Sequence, residues 1–85
     1  MARYELRVKP SVARDLRGVP KEDVKRLLQR MEALRDDPRG GEKLSGRELY
    51  RARQGDYRIV YSVDDETVIV EVIRVSHRRE VYRTL

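Results

Sequence analysis

Polar and apolar residues alternate along Tyr50–Gln54 and again along Tyr57–Val63, with Gly55-Asp56 between the two runs. Period-two alternation marks half-buried strands, and a Gly-Asp pair between them marks a two-residue hairpin turn. Glycine supplies the positive φ that such a turn needs. Closing the turn there sets the register: Gln54 opposite Tyr57, Arg53 opposite Arg58, Ala52 opposite Ile59, Arg51 opposite Val60, Tyr50 opposite Tyr61. One face is then apolar and aromatic, with Tyr50, Ala52, Ile59 and Tyr61. The other gathers Arg51, Arg53 and Arg58. Like charges set directly opposite one another destabilise a sheet. The arginine face is therefore either laced with carboxylates, for which Glu48, Asp56 and Glu71 are within reach in sequence, or built to hold an anion.

The same reading places the other elements. Arg3–Val8 alternates, with Tyr4, Leu6 and Val8 on one side, as a half-buried strand does. Lys9-Pro10-Ser11 ends it, and a short helix with Val12 and Leu16 inward follows. Gly18 suits the left-handed position past that helix, and Pro20 suits the first turn of the next. Over Pro20–Arg35, Val24, Leu27, Leu28, Met31 and Leu34 recur at spacings of three and four, the stripe of an amphipathic helix. Asp36-Asp37-Pro38 stops it, and a loop runs to Gly46 ahead of the hairpin. Asp64-Asp65-Glu66 then turns the chain into Thr67–Val75, whose β-branched residues suit a central strand. The order β-α-α-β-β-β predicts an α+β fold: a helical hairpin packed on a small, largely antiparallel twisted sheet, as one domain over residues 1–85.

If the second turn has four loop residues beginning at Asp64, Val63 faces Val68, Tyr61 faces Val70 and Ile59 faces Val72. Parity then puts Ile73, Val75 and His77 on the side of Arg58, although a one-residue slip would reverse this.

Charge and composition narrow the function. The net charge is +5, which favours a polyanionic partner; yet 41% of residues are charged, so a solvated surface accounts for much of it. Lysine occurs only at 9, 21, 25 and 43, and the other basic residues are arginine. Guanidinium forks phosphate well and also serves surface ion pairs, so both uses stay open. With no cysteine and a single histidine, no metal or thiolate framework is implied, and no cofactor is expected. No apolar run approaches the roughly 20 residues of a membrane helix. The leading MARYELRV lacks a signal-peptide core, so a soluble, cytoplasmic protein is expected.

Arginines with a histidine or tyrosine can serve a metal-free ribonuclease. There the ribose 2′-hydroxyl attacks the neighbouring phosphate, cations hold the developing charge, and other groups move the protons. An exposed tyrosine can stack a base of single-stranded RNA. Simple anion binding fits the same residues.

Four stretches carry a resemblance: Leu34-Arg35-Asp36-Asp37-Pro38; Lys43-Leu44-Ser45-Gly46; the hairpin Tyr50–Tyr61; and the terminal Val75-Ser76-His77-Arg78-Arg79-Glu80-Val81-Tyr82-Arg83. The chain resembles the RelE/ParE superfamily of type II toxin–antitoxin toxins, most closely the RelE-type mRNA interferases. The resemblance implies a metal-independent endoribonuclease that cleaves mRNA in the ribosomal A site and stops translation. It assigns Arg58 and Arg78 to the phosphate, Tyr82 to the base near the cut, and Arg51 and Arg53 to the RNA backbone. Arg79 and Arg83 extend that basic surface. Arginine stays protonated at physiological pH and so cannot replace a lysine as base. That leaves His77 as the candidate general acid or base, with Glu48 second. The implied partners are the ribosome, mRNA and a RelB-like antitoxin through which the complex binds operator DNA. Two other outcomes fit the resemblance: a ParE-like gyrase inhibitor, and a toxin that retains only antitoxin binding.

Overall fold

The computed structural model describes residues 3–44 and 48–77. Its elements are β1 (Glu5–Val8), α1 (Ser11–Asp15), α2 (Lys21–Ala33), β2 (Glu42–Lys43), β3 (Leu49–Gln54), β4 (Tyr57–Asp64) and β5 (Ile69–His77). The sheet order is β1-β5-β4-β3-β2, with β1 parallel to β5 and every other neighbour antiparallel. The α+β fold, with helices on one side of a largely antiparallel sheet, is as the pattern predicts. One element is additional. Glu42 and Lys43 pair with Arg51 and Tyr50, so part of the expected loop is a short edge strand.

Helix α2 is shorter than its apolar periodicity. Pro20 sits before it in an extended conformation, and its carbonyl accepts the amides of Asp23 and Val24. Leu27, Met31 and Leu34 are fully buried, each worth about 1.5–3 kcal/mol over exposure. Leu28 departs from the expected stripe and is 50% exposed. Gly18 is not left-handed; among the described glycines only Gly55 has a positive φ, at 59°.

The core joins Val12 and the α2 residues to Tyr50, Ala52, Ile59, Tyr61, Val70, Val72 and Val75. Tyr50 and Tyr61 stack, with centroids 5.6 Å apart. Burial pushes the Tyr61 phenol up, while its oxygen accepts the Gly41 amide at 3.2 Å. A Cβ at Gly41 would stand 2.6 Å from that oxygen and 2.7 Å from the Arg51 carbonyl. The loop lies so close to β3 and β4 that only glycine fits without a backbone shift.

The β3–β4 register is the expected one in every pair. The β4–β5 register differs twice. The turn slides along the chain: Asp64 pairs with Ile69 and Val63 with Val70, because Asp64 Oδ1 accepts the amides of Glu66 and Thr67 and so closes the turn on itself. Val68 takes a positive φ of 58° there, unusual for a β-branched residue. A shift of two in register leaves the faces unchanged. The second difference does not. Tyr61 pairs with Val72 but Val60 pairs with Arg74, so Ile73 is an extra, bulged residue. Beyond it Ile59 faces Val75, Arg58 faces Ser76 and Tyr57 faces His77. His77 therefore lies on the helix side, opposite the arginine face where sequence parity put it.

Candidate nucleic-acid interface

No described helix covers the outer face of the sheet, where β3 presents Arg51 and Arg53. From β4 come Arg58, Val60 and Ser62, and from β5 Glu71, Arg74 and Ser76. The bulge brings Arg74, exposed and opposite Val60, into the place that parity had given to Ile73 and Val75. Arg74 is the site residue missed by the sequence reading. A signal for it existed. Without a bulge Arg74 would point into the core from a strand whose Val70, Val72 and Val75 are all buried, and an unpaired buried charge costs several kcal/mol.

The arginines are not equivalent. Arg51 is largely covered and pairs with Glu42 at 3.1 Å, a partner supplied by the short β2 and not among the carboxylates proposed from sequence. Arg53 is exposed and has no ion-pair partner among the described residues. Arg58, directly opposite it, is only 8% exposed. Its Nη1 donates to the carbonyls of Gly55 at 3.1 Å and Tyr57 at 2.9 Å. Folding back onto the turn gives the guanidinium oxygen partners. At the β2–β3 edge, Arg30, Gly40, Gly41, Glu42, Arg51 and Arg53 line a hollow of about 220 Å³. Its three arginines, of which Arg53 is exposed, suit an anionic backbone.

Arg58 and Arg53 are thus brought together as expected. His77 is separated from them by the sheet, with its ring edge-to-face on Tyr57. Glu48 is exposed just before β3. Arg78, Arg79, Tyr82 and Arg83 lie outside the described residues. Among the described residues no cluster of His, Asp and Glu is grouped to hold a metal ion, and no helix is long and apolar enough to cross a membrane.

Comparison with known proteins gives this geometry a family. Residues 6–82 match the model of the ParE toxin of type II toxin-antitoxin system, parDE. The chain belongs to the RelE/ParE family of type II toxins. Within that family its likeness is to RelE-type members. It is 34% identical to toxin RelG of Mycobacterium tuberculosis, over 94% of this chain and 97% of that protein. The toxin–antitoxin complex RelBE2 of the same organism has a chain that superposes with a TM-score of 0.81 at 31% identity, covering 89% of this chain and 99% of that one. The archaeal RelE–RelB complex of Pyrococcus horikoshii follows with a TM-score of 0.79 at 30% identity, covering 88% and 94%. The β3–β4 hairpin and the arginine face lie inside the matched region.

Proposed function

We propose that this toxin is a ribosome-dependent endoribonuclease that cleaves mRNA in the A site and stops translation. The observation that carries the reading is the outer sheet face that gathers Arg51, Arg53, Arg58 and Arg74 on neighbouring strands. A row of guanidinium groups on a rigid sheet suits RNA phosphates, which stay charged through the reaction. In this reading Arg53 and Arg74 grip the backbone and Arg51 steers it from beside Glu42. Arg58, held by the turn carbonyls, sets a fixed positive charge near the scissile phosphate, where preorganised charge counts most. Arg78 and Tyr82, which follow β5, complete the phosphate and base contacts as the family resemblance implies. The 2′-hydroxyl attacks the adjacent phosphate and the 5′-oxygen leaves. His77, on the helix side, moves a proton only if the RNA bends around the end of β5.

A RelB-like antitoxin is the proposed partner. Solved relatives include complexes with RelB, and a basic face is matched by an acidic, partly disordered segment. The complex would bind operator DNA through that antitoxin.

One observation favours a second reading, gyrase inhibition without catalysis. Among the described residues, the arginine face brings no evident proton acceptor beside Arg58, which faces Ser76. Mapping mRNA 5′-ends on programmed ribosomes, with a gyrase supercoiling assay in parallel, separates the two. Cleavage at defined codon positions that is lost in the Arg53→Ala/Arg74→Ala double variant supports the nuclease. Gyrase inhibition without cleavage replaces it by the second reading.

A further inference from the structure

A cavity of about 410 Å³ opens on the helix side of the sheet, at the end of β4 and β5 remote from their connecting turn. Its walls include Arg14, Asp15 and Gly18 from the first helix and the turn after it, and Tyr57, Val75 and His77 from the sheet. Two features make it a built site. Beyond Val72 strand β5 has lost its β1 neighbour, and Asp15 Oδ2 takes the place of a strand by accepting the Val75 amide at 3.0 Å. This fixes a carboxylate in the wall. Opposite it, Tyr57 and His77 pack edge-to-face, with centroids 5.4 Å apart and planes at 87°.

A carboxylate has room for about four hydrogen bonds, so the Val75 amide leaves acceptor capacity on both oxygens. The group that uses two such acceptors side by side is one with paired N–H donors on a flat ring. Among RNA bases that is guanine, whose Watson–Crick edge presents N1–H and N2–H together. Adenine and the pyrimidines have no two adjacent donor positions on that edge. The aromatic wall offers π-surface to the ring, and Arg14, exposed at the rim, offers charge to a phosphate.

We propose that this cavity is a guanine subsite, in which Asp15 reads the Watson–Crick edge, Tyr57 and His77 contact the ring, and Arg14 holds the attached phosphate. As a subsite for RNA it rests on the nuclease reading. Tyr57 and His77 directly adjoin Arg58 and Ser76 along their strands, so a strand gripped on the arginine face reaches the cavity by passing round the sheet end. As a pocket for guanine it stands alone, because free guanosine monophosphate has the same edge and phosphate.

The test is NMR titration of the purified toxin with GMP, AMP, and RNA hexamers carrying one guanosine or none, following the Tyr57 and His77 ring signals. GMP is expected to shift both rings and to bind about tenfold tighter than AMP, the discrimination of one bidentate base contact. Asp15→Asn keeps an oxygen for the Val75 amide but turns an acceptor into a donor, so the guanine preference should vanish while the melting temperature holds. If the guanosine hexamer binds tighter than both GMP and the hexamer without guanosine, the ligand is a strand; if GMP binds as tightly, it is the free nucleotide. Both results support the pocket. Equal binding of GMP and AMP, or ring signals unmoved by every ligand, overturns it. Ribosomal cleavage without ring shifts removes the subsite and leaves the nuclease; guanine binding without cleavage does the reverse.

Discussion

Tyr57 and His77 face each other across β4 and β5 on the helix side, so the imidazole and the Arg58 guanidinium belong to opposite faces of one sheet. A general acid or base in place contributes about 10²–10⁴-fold to turnover. From this geometry His77→Ala should lower mRNA cleavage by less than about tenfold at saturating ribosome, short of such a contribution. Single-turnover cleavage on programmed ribosomes checks it. A loss of a hundredfold or more would restore His77 as the proton-transfer residue.

Arg53 and Arg74 are exposed on the outer face, whereas Arg51 is tied to Glu42. For single-stranded RNA the dependence of log affinity on log salt has a slope of about −0.7 per phosphate neutralised. Arg53→Ala and Arg74→Ala should each flatten that slope by about 0.7, and together by about twice that. Arg51→Ala should change it less, because freeing Glu42 adds a repulsive carboxylate at the edge without removing an unpaired cation. Fluorescence anisotropy of a labelled oligonucleotide over a salt series measures all four.

Arg58 is a structural residue as well as a charged one. Arg58→Lys keeps the charge but shortens the arm that carries the donor nitrogen to the Gly55 and Tyr57 carbonyls. Leaving such a partner unmet costs about 1–3 kcal/mol. Urea denaturation should show a fall of that size for Arg58→Lys and none for Arg53→Lys. Equal midpoints would mean that the turn does not depend on the bonds from Arg58 Nη1.

Acid should loosen the junction between β1, the β4–β5 turn and the loop after α2. The Tyr4 hydroxyl donates to Asp65 Oδ1 at 2.6 Å, and Arg39 binds the other oxygen. Together, the Tyr4 hydrogen bond first, they hold the Asp65 carboxyl below its ordinary value. A carboxyl depressed in the folded state contributes stability above its unfolded pKa, about 3.9, and loses it as pH falls through the folded value. The melting temperature of Asp65→Asn should therefore lie below that of the wild type at pH 7. The gap should close below about pH 4, as the wild-type carboxyl protonates. A gap independent of pH would assign the effect to packing.

The hairpin was legible because one short turn dictates every pair in it: with Gly55 at positive φ, Tyr50 could only meet Tyr61. The α2 stripe was legible for the same kind of local reason, apart from Leu28, which is half exposed. The β4–β5 register was harder. Asp64 closes the turn with its own side chain, and Val68 adopts a conformation its β-branched character argues against. The bulge was recoverable in principle from Arg74, since burying it was the costlier alternative. Periodicity alone weighs all residues equally and missed it. As for β2, two residues without an apolar pattern announce nothing; their strand pairing follows from Gly41 lying flat against Tyr61.

Ile73 also has a consequence for reading relatives of this chain. Because the bulge adds one residue to β5 without adding a partner on β4, counting along the strand stops reporting direction beyond it. A homologue lacking that residue would keep Val75, Ser76 and His77 on the same sides while numbering them one lower. An alignment that places its gap elsewhere in β5 would hand the duties of one surface to the residues of the other.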